Sequence, residues 1–265
     1  MFVDTHTHTK FSTDSKMKIE DAVSAAECAG LDGIVFSDHF DYDYAGFPDD
    51  FHFDFDEYFR TVFEYKEKNK GKPEIFYGVE IGLQPMESVI SANKHILSSY
   101  SFDCVIGSTH LINRKDPYCG TFYVGQSKYE AYKEYIEEVA RNLSLYHDFD
   151  IIGHIDYHTR YAPYRDSRFY YRDFPDEIDS IFKTIIEEGI AFEVNTKTYT
   201  KNELDTFLLK RYKELGGELV SLGSDAHSSE YIGLAFPKFA QIIKECGFDY
   251  IVHFAERKPV FERII

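Results

Sequence analysis

Short apolar runs alternate along the chain with stretches whose apolar positions recur every three to four residues. The runs are FVDTHTH (2–8), DGIVFSDH (32–39), EIFYGVEIG (74–82), DCVIGSTH (103–110), DIIGHIDY (150–157), AFEVNTK (191–197) and LVSLGSDAH (219–227). They are apolar-rich, as expected of strands buried on both faces of a parallel sheet. The stretches between them predict helices over 18–29, 54–69, 86–98, 128–146, 175–188, 202–215 and 237–246. Asp54 with Glu57, and Ser127 with Glu130, stand in capping-box spacing, and Gly30, Gly189, Gly216 and Gly247 close four of the helices. DYIVHF (249–254) reads as a last strand-like piece. Seven βα units predict an α/β fold, a parallel sheet with helices packed outside it. An open doubly wound sheet and a closed barrel both fit this alternation. No G-x-G-x-x-G follows the first strand and no G-x-x-x-x-G-K-[ST] occurs, so nothing favours a nucleotide-binding sheet. No repeat, linker or low-complexity tract interrupts the chain, and 1–265 is read as one domain.

Polar residues gather at the downstream ends of these strands: His6 and His8, Asp38 and His39, Glu80, His110, His154 and Asp156, Asn195 and Lys197, Asp225 and His227. In a parallel barrel those ends and their loops form the active face, so residues remote in sequence converge on one mouth. Six of the 11 histidines fall there. His6 and His8 are two apart and point to the same face of a strand. Two imidazoles beside carboxylates make a half-site for Zn, Mn or Fe. With Glu80, His110, His154, Asp225 and His227 the candidates reach about eight or nine N/O donors, whereas one tetrahedral ion takes about four. The surplus predicts two or three ions. No thiolate is among them, which argues against an iron–sulfur or zinc–cysteine site. Asp14 reads either as a turn residue or N-cap or as a ligand reaching in from the first loop. His158, in the loop right after His154, is a further candidate. His52, His95, His147 and His253 read as structural or solvent-facing.

Charge narrows the partners. The 29 basic and 46 acidic residues leave a net charge of -17, which repels nucleic acid and anionic membranes. A small anionic substrate stays compatible, because metal ions reverse the field inside a cleft. No apolar stretch approaches the roughly 18 residues of a membrane helix. MFVDTHTHTKF lacks the basic region and apolar run of a secretory signal, so a cytoplasmic protein is expected. The four cysteines are scattered without a C-x-x-C and read as cytosolic thiols, Cys28 and Cys104 in apolar surroundings.

Taken in order, H-x-H on the first strand, S-D-H on the second, an internal G-V-E, then S-T-H, G-H-x-D and a terminal S-D-A-H resemble the PHP (polymerase and histidinol phosphatase) family. The correspondence runs from His6 to His227. The resemblance implies a distorted seven-stranded (β/α) barrel with a trinuclear metal centre at its mouth. It implies that His6, His8, Glu80 and Asp225 hold one ion, that Glu80 bridges to a second held by His110 and His154, and that His39 and His227 hold a third with a ligand from the first loop. Many members have His at that loop position. Here FSTDS places Asp14, a harder ligand that weakens zinc preference. Within the family the chain is most similar to the stand-alone histidinol-phosphate phosphatase branch, through its length, FDIIGHIDYHTRY with Arg160, and EVNTKTY with Lys197. The implied cofactors are two to three divalent ions (Zn, Mn or Fe), and the implied substrate is a small phosphate ester, L-histidinol phosphate.

The chemistry so implied is phosphate monoester hydrolysis, with two close ions acidifying a shared water that attacks phosphorus. Arg160 suits a phosphate oxygen through its planar fork, Lys197 adds a point charge, and His158 completes the substrate contacts. An ion, or an acid near it such as His227 or Asp225, is expected to assist the leaving group. The acidic-aromatic loop 40–56 reads either as a plain covering loop or as a counter-ion and stacking face for the substrate's amine and imidazole, using Asp43, Asp49 and Asp50. Three other readings carry less: a family phosphodiesterase acting on nucleotides or oligonucleotides, disfavoured by the charge; a metal-dependent amidohydrolase, disfavoured by Glu80 and the surplus ligands; and a non-catalytic metal-binding protein, disfavoured by the nearly complete ligand set.

Overall fold

Parallel pairing between strands distant in sequence organises the chain. The computed structural model describes residues 2–47, 50–71, 73–200 and 202–265. Its strands are β1 (Val3–Thr7), β2 (Gly33–Phe36), β3 (His39–Phe40), β4 (Glu74–Gly82), β5 (Cys104–Ser108), β6 (Ile151–Ile152), β7 (Ala191–Asn195), β8 (Val220–Gly223), β9 (Tyr250–Ala255) and β10 (Lys258–Arg263). The α-helices are α1 (Ile19–Cys28), α2 (Phe55–Lys68), α3 (Glu87–Ser99), α4 (Lys128–Leu145), α5 (Pro175–Glu188), α6 (Thr206–Glu214) and α7 (Phe236–Glu245). The sheet runs β1-β2-β4-β5-β6-β7-β8, with β3 continuing the line of β2 against β4. Beyond β8, Thr7 bridges Ala226 in parallel, and the Asp225 N–H donates to the His6 carbonyl at 2.7 Å. These contacts bring the last strand back to the first, and the expected distorted (β/α) barrel nearly closes.

Two expected strands are broken, each for a local reason. The run 32–39 divides at Ser37 and Asp38 because the buried Asp38 carboxylate turns to the first loop, accepting from Thr9 N at 2.6 Å and Ser12 Oγ at 2.7 Å. The run 150–157 keeps only β6: Gly153 N still donates to Gly107 O, but the next donor, His154 N, goes to the Glu193 carboxylate at 2.6 Å instead of a neighbouring strand. Helix boundaries follow their caps. Ser127 and Glu130 form the full capping box of α4, and the Asp54 side chain accepts from Glu57 N. The helix expected from 202 starts only at Thr206, where the Asp205 carboxylate accepts from Phe207 N.

The strand-like piece at 249–254 becomes half of a hairpin with β10, paired antiparallel from Ala255↔Lys258 to Tyr250↔Arg263. Val252 and Phe254 enter a buried cluster with Val3, Val35, Phe76, Cys104, Ile106, Ile151 and Ala191, and so fill the barrel at the upstream ends of its strands. The hairpin turn uses Glu256 and Arg257 at φ 50° and 62°, and Arg257 Nε pairs with Asp150 Oδ2 at 2.6 Å. A larger core lies between strands and helices, including Phe36, Tyr58, Tyr135, Phe182 and Tyr212. Cys104 is buried as expected, but Cys28 is exposed, on the outer side of α1. Among the described residues no helix is long and apolar enough to cross a membrane.

Candidate metal centre

With the hairpin filling one end of the barrel, the polar strand ends meet at the other. Glu80, fully buried on β4, stands at their centre. Its Oε2 lies 3.3 Å from His6 Nε2, 3.5 Å from His8 Nε2 and 3.0 Å from His39 Nδ1. Its Oε1 lies 3.0 Å from His154 Nε2 and 3.3 Å from His110 Nε2. Asp225 faces the same space, with Oδ1 3.3 Å from His8 Nε2 and 3.2 Å from Lys197 Nζ, and Oδ2 accepting from Arg160 Nη1 at 2.6 Å. Its backbone sits in the left-handed region at φ 52°, a strained choice for a non-glycine residue, and both peptide groups are engaged: N–H with His6 O, C=O with Lys197 Nζ. At the rim Asp14, half-exposed, reaches His227 Nε2 at 3.1 Å and His39 Nε2 at 3.8 Å.

The arrangement fits divalent ions. Four sets bring their ligand atoms within 4.8 Å of one another: His6, His8 and Asp225; His6, Glu80 and His154; His8, His39 and His227; His39, Asp41 and His110. His6 Nε2, His8 Nε2, His39 Nδ1 and Glu80 Oε2 are buried without any hydrogen-bond partner, although each points at the others. Lone pairs converging in this way need a cation between them. Nitrogen and oxygen donors without thiolate suit Zn, Mn or Fe. Electrostatics point the same way. Burial opposes ionisation of Glu80 and Asp225, but His6, His110 and His39 around the first, and Lys197, Arg160 and His6 around the second, hold both carboxyls well below their usual range. Burial, then the neighbouring His227 and His39, keeps His8 well below the usual imidazole range. For His110 burial is outweighed by Asp41 and Glu80, and its pKa rises to about 10.

Of the expected site residues, His6, His8, Asp14, His39, Glu80, His110, His154, Arg160, Lys197, Asp225 and His227 come together here. His158 does not. It lies in the 3-10 turn after β6, fully buried, with its ring 4.1 Å from that of Tyr135 and 4.2 Å from that of Tyr132. The turn sends this side chain toward α4 while His154 faces the cavity, so a substrate contact by His158 is ruled out. The loop acids are also placed differently. Asp43 is paired with Arg114, Asp50 is exposed, and Asp49 lies outside the described residues.

Three carboxylates of the site escaped sequence reasoning. Asp41, two residues after His39, accepts from His110 Nδ1 at 2.8 Å. Glu193, inside the apolar run of β7, accepts from His6 Nδ1 at 2.7 Å. A charge inside a strand buried along its whole length was the available signal for Glu193. Asp116, in an irregular loop, accepts from Tyr44 Oη at 2.7 Å and Tyr157 Oη at 3.2 Å. It lines the cavity of about 390 Å³ above the cluster, on a wall shared with Tyr44, Phe51, Tyr118, Tyr157 and Tyr161.

A nearly closed parallel barrel with a buried carboxylate ringed by histidines, and two side-chain cations beside it, defines a metal-dependent hydrolase. The chain belongs to the PHP domain family, whose model matches residues 4–197. It is 39% identical over 264 residues to a protein of Clostridium acetobutylicum named probable histidinol-phosphatase, covering 98% of this chain and 96% of that one. It is 32% identical to the histidinol-phosphatase of Lactococcus lactis, covering 97% and 95%. The crystal structure of histidinol phosphate phosphatase from Lactococcus lactis, complexed with zinc, L-histidinol and phosphate, matches with a TM-score of 0.92 at 29% identity, over 98% of both chains.

Proposed function

We propose that the protein hydrolyses L-histidinol phosphate to L-histidinol and phosphate, as a single metal-dependent catalytic domain of the cytoplasm. One observation carries the reading: the Glu80-centred cluster, flanked by Arg160 and Lys197, faces an aromatic wall holding one carboxylate, Asp116, across a single cavity. A phosphate and a cationic amine or imidazole at opposite ends of one small molecule match these two walls.

In this reading His6, His8, Glu80 and Asp225 hold one ion, Glu80, His110 and His154 a second, and His39, His227 and Asp14 a third. Divalent ions bound there activate water and neutralise charge on the phosphoryl oxygens. Arg160 donates Nε to Thr198, Nη1 to Asp225 and Nη2 to Asn195, which uses three of its five N–H groups. Arg160 lines the cavity, and its other two N–H groups, one on each Nη, suit a phosphate oxygen pair. Lys197 Nζ contacts the Asp225 carbonyl, Asp225 Oδ1 and His227 Nδ1, so it holds those two side chains as well as adding positive charge. Both Asp225 oxygens accept from these cations. His227 would protonate the departing alkoxide only with the third position empty, since an ion there takes its Nε2 and Nδ1 already faces Lys197 and the Asp225 carbonyl. Asp116, oriented by Tyr44 and Tyr157, meets the substrate's ammonium or imidazolium, and Phe51 and Tyr161 offer faces for the ring.

The test is phosphate release from histidinol phosphate, p-nitrophenyl phosphate, glycerol phosphate and an oligonucleotide, on protein of measured metal content. Preference for histidinol phosphate, lost on chelation and restored by Zn or Mn, is the expected result. Fast turnover of another ester with little of histidinol phosphate would move the protein to a different substrate, and turnover of the oligonucleotide would make it a phosphodiesterase.

A further inference from the structure

Two buried carboxylates back the cluster, Glu193 on β7 and Asp41 just after β3, and their arrangements match. Glu193 Oε1 accepts the Nδ1–H of His6 at 2.7 Å, and the same ring turns Nε2 to Glu80 Oε2 at 3.3 Å. Asp41 Oδ1 accepts the Nδ1–H of His110 at 2.8 Å, and that ring turns Nε2 to Glu80 Oε1 at 3.3 Å. Each carboxylate thereby selects the tautomer whose Nε2 lone pair faces Glu80, one ring per Glu80 oxygen.

The backbone is cut to fit both. A Cβ at Gly223 would lie 2.2 Å from Glu193 Oε1 and 2.6 Å from His6 Cβ, and a Cβ at Gly82 would lie 2.1 Å from Asp41 Oδ1. Neither glycine has a positive φ, so space rather than conformation demands glycine at these positions. On the metal-dependent reading above, we infer that Glu193 and Asp41 are positioning residues, each serving one of two metal positions that share Glu80: Glu193 the His6 position, Asp41 the His110 position. Gly223 and Gly82 keep the space each one needs.

The two carboxylates differ in how much an amide can replace. Glu193 serves three donors, since its Oε2 also accepts from His154 N at 2.6 Å and Asn195 Nδ2 at 3.2 Å. A glutamine has one carbonyl oxygen. Turned to His6, it sets its NH₂ against two donors. Turned to His154, it presents NH₂ to His6 Nδ1 and drives the proton to Nε2, the nitrogen that must ligate. At Asp41 only Oδ1 accepts a hydrogen bond, while Oδ2 lies 3.4 Å from His39 Nδ1 without hydrogen-bond geometry. An asparagine can keep its oxygen on His110.

The experiment loads folded protein with Zn²⁺ alone and measures zinc per chain and affinity by chelator competition. Circular dichroism and a thermal melt of the metal-free form check folding. E193Q and D41A should each weaken one zinc by roughly 10–100-fold. D41N should retain wild-type binding. The double variant E193Q/D41A should weaken two. G223A and G82A, which alter no charge, should reproduce E193Q and D41A. Folded E193Q and D41A with wild-type zinc binding would overturn the inference, as would a double variant that weakens only one zinc, or D41N as weak as D41A. Wild-type protein that binds zinc without hydrolysing histidinol phosphate would remove the substrate assignment and leave this inference standing.

Discussion

Replacing Arg160 by alanine separates two jobs that the site gives to one side chain. Arg160 is buried and makes three hydrogen bonds, the shortest to Asp225. Removing one partner of a buried ion pair costs about 3–5 kcal/mol, because the other charge stays behind. Asp225 keeps Lys197 at 3.2 Å and His8 at 3.3 Å, so the low end, about 3 kcal/mol, applies. At 2–4 °C per kcal/mol for a chain near this size, the metal-free variant should melt about 6–12 °C below the wild type. Zinc gives Asp225 a new counter-charge, so the gap should shrink in loaded protein. The activity should fall as well. Losing charged hydrogen bonds to phosphate at about 1.5–3 kcal/mol each lowers kcat/KM by about 10–100-fold or more. The sequence alone assigns that loss mainly to KM, but the bond to Asp225 adds a loss in kcat. Paired melts with and without zinc, followed by steady-state phosphate release, measure both effects. A metal-free R160A that melts within 2 °C of wild type, or an effect confined to KM, refutes the coupling of Arg160 to Asp225.

H110A should lose zinc and nearly all kcat together, as metal analysis and kinetics on the same sample will show. His110 also sets a pH dependence: its pKa is raised to about 10 in the metal-free form, and ligation needs the neutral ring, so zinc should bind more tightly as pH rises toward that value. In the metal-free protein the same raised pKa adds stability that is fully present below about pH 6.5 and is lost as pH climbs through about 10, and denaturant melts of H110A should lack that component. D116N should raise KM for histidinol phosphate about tenfold, the worth of one ion pair of about 1.4 kcal/mol, while leaving glycerol phosphate unchanged; equal effects on both esters would remove Asp116 from recognition. F254A should cost about 3–5 kcal/mol in urea melts by opening a cavity in the barrel plug, with zinc per chain unaltered.

The alternation of parallel strands and helices was legible because the strands are short, apolar and evenly punctuated, but an open sheet fits that pattern as well, and the barrel was implied only by the resemblance of the ordered motifs to the PHP family. The candidate ligands were legible because histidines and carboxylates stood at strand ends, where a parallel barrel collects them. What failed to show depends on direction in space. His158 follows His154 by four residues, yet the 3-10 turn sends one ring into α4 and the other into the cavity. Asp41 and Glu193 act through other residues, and nothing in their spacing says which histidine each one touches. β10 carries mostly exposed residues, and its turn places Glu256 and Arg257 where asparagine or glycine would have announced a hairpin.

Net charge says little about the cleft. A chain at -17 stays compatible with a phosphate ester, because surface acids farther from the cleft than about 8 Å are largely screened at physiological salt. The groups that decide are local. Asp14, Asp41, Glu80, Glu193 and Asp225 stand against Arg160 and Lys197, a surplus of three negative charges that His110, with His6 and His39 also held well above the usual imidazole range by these carboxylates, offsets in the metal-free cleft. Two divalent ions more than cancel that surplus, and a third makes the cleft plainly cationic. Affinity for phosphate is therefore a property of the loaded centre rather than of the polypeptide. The carboxylates that keep protons on the histidines of the metal-free site would hold and orient the ions that displace those protons.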